Sequence, residues 1–184
     1  MTRLFGRFLA AAFVVLAFAL PAAAQTKQEA ENMLYLDTAY GRVVIKLRPD
    51  LAPKHVARIK ELTRTGFYNG VPFHRVIAGF MAQTGDPTGT GTGGSGQKLA
   101  AEFSNTPFTR GVVGMARASS PDSADSQFFI MFDSAPSLNG QYTVLGQVVS
   151  GMEFVDKIKK GSGAGGTVSN PDKIVKMQVA ADAK

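Results

Sequence analysis

Short runs of β-forming residues, each cut off by glycine, proline or a polar turn, constrain this chain more than any other feature. Eight runs occur, at residues 33–37, 42–47, 73–77, 80–83, 112–116, 128–131, 143–149 and 174–180. In the second, Val43, Ile45 and Leu47 alternate with other residues; in the last, Val175, Met177 and Val179 alternate with Lys176 and Gln178. That is the period of a strand with one buried face. The 184 residues include 20 glycines and 9 prolines, which favours many turns over a helical bundle. Only two stretches read as helices. Pro53 opens one, with Val56, Ile59 and Leu62 on a narrow face and an exit near Gly66. The other spans 152–160, with Phe154, Val155 and Ile158 inward and Gly161 as its stop. Eight strands can close into a barrel filled by its own side chains, so the expected fold is all-β dominated, a closed eight-stranded barrel capped by two α-helices. Any site would then lie on its outer surface or rim.

The first 24 residues form a separate unit. Arg3 and Arg7 precede an unbroken apolar run at 8–20, and Pro21 precedes Ala22-Ala23-Ala24, a small-residue cleavage site. This is the layout of a secretory signal peptide, with cleavage expected after Ala24; the apolar run is short for a membrane span. Residues 25–31 are polar and read as a flexible lead-in, leaving 32–184 as one domain. The formal charge of +6 drops to +4 when the two arginines leave with the signal. The remaining excess is spread along the chain, with no basic cluster interleaved with aromatics, so no nucleic-acid partner is expected. The absence of cysteine removes disulfides and a lipid attachment site. No stable membrane association is expected after cleavage, and nothing calls for more than a monomer.

Several chemistries fit poorly. Two histidines and no cysteine leave little for a transition metal. His55 is expected to be exposed on the first helix, and His74 to be a hydrogen-bonded barrel residue. Gly91 and Gly96 have the spacing of a phosphate-binding loop, but Gln97-Lys98-Leu99 replaces the required Lys-Ser/Thr, so residues 84–97 read as a plain surface loop. Ser95 lacks a nucleophile elbow, since Gln97 occupies its last position. Asp122, Asp125 and Asp133 lack the calcium-loop pattern.

What remains is Arg75 in FHRVIAGFMAQTGD (73–86), with Phe80, Met81 and Gln83 close behind, and Gln127, Phe128 and Phe129 in ADSQFFI (124–130). A fixed cation and an amide beside an aromatic pocket suit an apolar ring next to a peptide carbonyl, which describes an X–Pro bond. Adjacent strand residues face opposite sides, so one of Phe128 and Phe129 belongs to the core.

These segments, with TGTGG at 90–94 and LGQVVSGMEFVDKI at 145–158, resemble successive signatures of the cyclophilin-type peptidyl-prolyl cis–trans isomerases, in the expected order. The resemblance covers about residues 33–180. It implies that the eight strands are antiparallel, that a proline-binding groove lies on one face of the barrel, and that isomerisation is non-covalent and free of cofactor or metal. Carried over residue by residue, it implies a catalytic Arg75 supported by Gln83 and Phe129. Phe80, Met81, Phe129 and Leu138 would line the proline pocket, Gln83 and Gln127 the polar side of the groove. Gly91, Ala116 and Arg117 would border the bound peptide, with Arg117 contributing its main chain. It also assigns Phe128 to the barrel and Phe129 to the groove, and calls for a bend at Phe80-Met81. Two positions depart from the pattern: Ser137 stands where many eukaryotic cyclophilins carry tryptophan, and Tyr142 where they carry histidine. The first departure implies weak binding of cyclosporin-like macrocycles; the second keeps an aromatic wall. The expected protein is a bacterial exported isomerase of the periplasm acting on proline-containing client chains. A cyclophilin-shaped module that grips prolines without turnover is the alternative.

Overall fold

The computed structural model describes residues 22–183, so most of the expected signal segment lies outside the described residues. Eight strands form one sheet: β1 (Met33–Thr38), β2 (Gly41–Leu47), β3 (Arg75–Ile77), β4 (Met81–Thr84), β5 (Val112–Met115), β6 (Phe128–Met131), β7 (Val144–Ser150) and β8 (Lys176–Val179). Their order is β3-β4-β6-β5-β7-β2-β1-β8, and every ladder is antiparallel. Each strand overlaps an expected run: burial alternates in β1, β2 and β8, whereas β5 and β6 are buried on both faces, and both patterns favour the β-branched, aromatic and apolar residues that those runs carry.

The closure of the barrel is corrected. No ladder joins β3 to β8, and the sheet curls into an open half-barrel. The residues leading into β8 carry Gly161, Gly163, Gly165, Gly166 and Pro171, which weaken regular pairing. They run beside β3 as irregular backbone, tied by Val76 N–H to Gly166 O (2.7 Å), Val168 N–H to His74 O (3.1 Å) and Phe73 N–H to Asp172 O (2.9 Å). This seam delivers the Gly165 carbonyl to Arg75.

Among the described residues three α-helices are present rather than two: α1 (Ala22–Glu31), α2 (Pro53–Arg64) and α3 (Met152–Lys157). The stretch read as a flexible lead-in is helical as α1. Its last residue, Glu31, accepts hydrogen bonds from Lys60 Nζ (2.7 Å) and Arg64 Nη2 (2.9 Å) of α2, and these hold its carboxyl below the ordinary range. Helix α3 stops at Lys157, short of the expected Gly161, because Ile158 turns extended and inserts into the core.

The buried face of α2 is wider than the spacing of Val56, Ile59 and Leu62 indicated. It includes Thr63 and His55, and His55 is fully buried rather than exposed. The cause is Glu102, distant in sequence, whose carboxylate covers the start of the helix. It accepts from Lys54 N–H (3.1 Å) and His55 N–H (3.0 Å) and stands 2.6 Å from His55 Nδ1. Ala52 offers no side-chain cap, so Glu102 satisfies helix N–H groups that would otherwise be orphaned. Burial pushes the Glu102 carboxyl up, but its bonds to His55 and the helix backbone outweigh that and hold it below the ordinary range.

The core has two parts. Residues pointing into the half-barrel, such as Leu36, Ile45, Ile59, Phe128 and Ile130, form the larger cluster. A smaller one, with Met81, Phe108, Phe129, Met131 and Val144, lies on the outer face.

Candidate active site

Strand register builds the site. Arg75 on β3 pairs with Gln83 on β4, Gln83 with Phe129 on β6, and Phe129 with Gly114 on β5. Residues paired across neighbouring strands point to the same face, so the cation, the amide and the aromatic ring form one row on the outer surface. Two residues along each strand lies a second row, Ile77, Met81 and Met131, which floors the same face with apolar side chains. The alternate residues Val76, Ala82, Phe128 and Ile130 point into the half-barrel. Phe128 is thus core and Phe129 is groove. The bend expected at Phe80-Met81 is present: Phe80 N–H donates to Ile77 O (3.1 Å) around Gly79, whose φ of +71° suits glycine, and β4 starts only at Met81.

The polar side of the row is a directed relay. Arg75 Nε donates to Gly165 O (3.0 Å) and Nη1 to Gln83 Oε1 (3.1 Å). Gln83 Nε2 donates to Gln127 Oε1 (2.8 Å), and Gln127 Nε2 to Gly91 O (3.1 Å) and Gly93 O (2.8 Å). Each amide has its donor and acceptor ends assigned by its neighbours, so the guanidinium is fixed at two points. Its Nη2 has no protein partner among the described residues.

The glycine-rich loop is latched from below by Asp86, a residue the sequence reading passed over. Asp86 is fully buried and accepts from Thr88 N–H (2.8 Å), Thr88 Oγ1 (2.8 Å), Gly91 N–H (2.7 Å) and Gly93 N–H (3.1 Å). Burial pushes its carboxyl up, but these four donors outweigh it and lower the pKa to about 2. Because that lies below the ordinary ~3.9, the stabilisation is complete above the ordinary value and is lost as pH falls from about 4 through about 2. Asp86→Asn is therefore expected to be less stable than the parent at pH ~7, with a gap that narrows towards pH ~2; urea denaturation across that range checks it.

Cavity and wall follow. A cavity of about 340 Å³ opens on this face, lined by Arg75, Phe80, Met81, Gln83, Phe129 and Leu138, and bordered by Gly91, Ala116, Arg117 and Tyr142. Gln127 stands outside its lining and faces a neighbouring cavity of about 350 Å³, which shares Gln83, Gly91, Ala116 and Arg117. All the residues expected at the site are therefore brought together. Phe129 stacks on Phe108 (5.8 Å between centroids, 27°) and meets Tyr142 edge-on (5.8 Å, 85°). Gly114 permits this: a Cβ there would stand 2.5 Å from Phe129 Cζ and 2.6 Å from Phe108 Cε1. Gly114 and Phe108 gave no signal in the sequence beyond a glycine inside a strand. Ser137 is exposed and adds no aromatic surface to the rim.

His74 also lines the cavity, and its expected role is corrected. It is buried, but among the described residues neither ring nitrogen has a hydrogen-bond partner. Burial lowers its pKa, opposed by the nearby Asp86 charge, so the ring is neutral at pH ~7. Its Cδ2 would lie 3.6 Å from a Cβ on Gly91, which places it directly under the loop.

Comparison with known proteins decides the family. A model described as cyclophilin type peptidyl-prolyl cis–trans isomerase/CLD matches residues 33–179. The chain belongs to the cyclophilin-type peptidyl-prolyl cis–trans isomerases. A probable peptidyl-prolyl cis–trans isomerase of Brucella suis is 59% identical to this cyclophilin over 190 residues, covering 95% of each chain. Peptidyl-prolyl cis–trans isomerase B of Bacillus subtilis is 44% identical over 122 residues, 65% of this chain and 85% of that one. Among solved structures, a cyclophilin-type isomerase of Cryptosporidium parvum in the presence of the dipeptide Ala-Pro gives a TM-score of 0.73 at 31% identity, covering 80% of this chain and 98% of the other. A cyclophilin of Hirschia baltica gives 0.74 at 26% identity, covering 90% and 83%.

Proposed function

We propose that this cyclophilin isomerises X–Pro bonds of exported client chains in the periplasm as a monomer, with Arg75 as its catalytic group and Gln83 and Phe129 completing the centre. The observation that carries the assignment is the Arg75 guanidinium, held at Gly165 O and Gln83 Oε1 at the edge of an apolar cavity walled by Phe129. Rotation of a peptide bond costs ~18–20 kcal/mol because the nitrogen lone pair is conjugated with the carbonyl. In the twisted state conjugation is lost, and the pyramidal proline nitrogen can accept a hydrogen bond that the planar amide refuses. A permanently charged, preorganised donor beside that nitrogen binds the twisted state better than either planar isomer, which lowers the barrier. Phe80, Met81, Phe129 and Leu138 hold the proline ring, and Gln83 steadies the carbonyl of the preceding residue. Gln127, Gly91, Ala116 and the Arg117 main chain border the peptide. No bond is made or broken, so no cofactor is needed.

The amino-terminal layout of residues 1–24 supports export. The test uses protein recovered from the periplasmic fraction, whose first residue is expected to be Gln25 by mass spectrometry. NMR exchange on an Ala-Pro peptide should show acceleration by this protein and its loss in Arg75→Ala with binding retained. Binding without acceleration in either protein would reduce it to a proline-recognising module. Ser137 leaves the rim without an indole, so an inhibition titration with cyclosporin is expected to show no tight stoichiometric block.

A further inference from the structure

Arg117 carries more than a backbone contact. Its guanidinium lies over the Tyr142 ring (4.6 Å to the centroid) on the wall of the proline cavity, with Phe103 at 5.8 Å. Nε donates to Gln141 O (3.1 Å), and Nη1 to Ala118 O (3.0 Å) and Ser119 O (3.2 Å), while Nη2 has no protein partner among the described residues. Among the described residues no carboxylate forms an ion pair with it. Tyr142 lines the first cavity and Ala118 the second, so this fixed charge sits on the ridge between them. The second cavity also exposes Lys98, which makes no hydrogen bond or ion pair among the described residues. Its only acid is Asp125, whose carboxylate is turned to Ser95 N–H (2.9 Å), Gly96 N–H (2.9 Å) and the Ser95 hydroxyl. The first cavity holds no acid at all, and its other cation is Arg75.

We propose that Arg117 and Lys98 make this groove select clients with acidic side chains two or three residues before the proline. The inference rests on the proposed function for its direction. Gln83 lines both cavities; in the proposed mechanism it faces the carbonyl of the residue before proline, so the chain on that side would run towards the second. A cleft lined by one sign of charge focuses its field and raises the local concentration of oppositely charged ligands. The stacked Arg117 is positioned by its three carbonyl partners, so little freedom is lost when a carboxylate binds it.

The test compares peptides Xaa-Xaa-Ala-Pro-Phe with Xaa as Glu, Gln or Lys, by NMR exchange. Within one protein, the Glu peptide is expected to have about tenfold higher kcat/KM than the Lys peptide at low ionic strength, with Gln between and the ratio shrinking as salt screens the charges. In Lys98→Gln and Arg117→Gln the ratio should fall towards one; because it is internal to each variant, a general loss of activity cancels. Equal rates on the Glu and Lys peptides, or a ratio unchanged in both variants, would overturn the selectivity while leaving Arg75 catalysis standing. If no peptide is turned over, the proposed function falls, and the ratio of dissociation constants from NMR titration decides the charge preference by the same criterion.

Discussion

Arg75→Ala is expected to lower kcat for X–Pro rotation by about 100-fold or more, with peptide affinity nearly unchanged. The asymmetry follows from where the guanidinium acts. The planar amide nitrogen is a poor acceptor, so Arg75 contributes little to ground-state binding, which the apolar cavity supplies. Its interaction with the nitrogen appears only in the twisted state, and an interaction made only there changes kcat rather than affinity. Arg75→Lys is expected to recover little of the loss. An ammonium cannot hold the Gly165 carbonyl and Gln83 Oε1 together while presenting a third nitrogen, as the planar fork does. Single-residue exchange spectroscopy for turnover, beside titration for affinity, separates the two quantities. Turnover in Arg75→Ala within a few-fold of the parent would remove Arg75 from the centre.

Phe128→Ala is expected to cost about 3–5 kcal/mol of folding stability. The ring is fully buried in the half-barrel and meets Tyr68 edge-on (5.6 Å, 70°). Tyr68 in turn donates to Ser126 O (2.9 Å), which holds this ring back from the space that the truncation leaves. Against a typical domain stability of about 5–15 kcal/mol, such a loss is a large share. The urea midpoint should drop with little change in slope. Phe129→Ala, one residue on, should instead show its main loss in kcat/KM, because that ring faces the cavity. A Phe128→Ala protein as stable as the parent but inactive would reverse the assignment of the two faces.

The strands were legible because each is a local pattern. Alternation in 43–47 and 175–179 needs nothing beyond neighbouring residues, and all eight runs appear as strands. The row Arg75–Gln83–Phe129 was legible as a set of residue types, and register explains its geometry. The misreadings share a different cause. Helix α2 by itself gives no reason to bury His55; Glu102, which covers it, comes from another part of the chain. Residues 84–97 show no helix or strand pattern, and of the groups that fasten the loop, Asp125 lacks a calcium-loop pattern and Asp86 carries no signal of its own. The closed barrel failed because strand counting says nothing of whether the first and last edges meet, and glycine-rich backbone lies between them here.

Which segments are strands, where the chain turns, and the types and order of the residues on the groove are all written in local residue patterns. Propensity, alternation and turn chemistry act within a few residues and can be read without knowing what lies opposite. Folding in three dimensions is what keeps β3 and β8 unpaired with each other, brings the Gly165 carbonyl to Arg75, latches the loop on Asp86, and lays Arg117 on Tyr142 between two cavities. Each is a contact or an unpaired edge that no local pattern displays: the Arg75 and Arg117 contacts join separate segments, the Asp86 latch closes over five and seven residues of loop backbone, and no ladder joins β3 to β8. Its energy depends on burial and register that exist only once the sheet has curled.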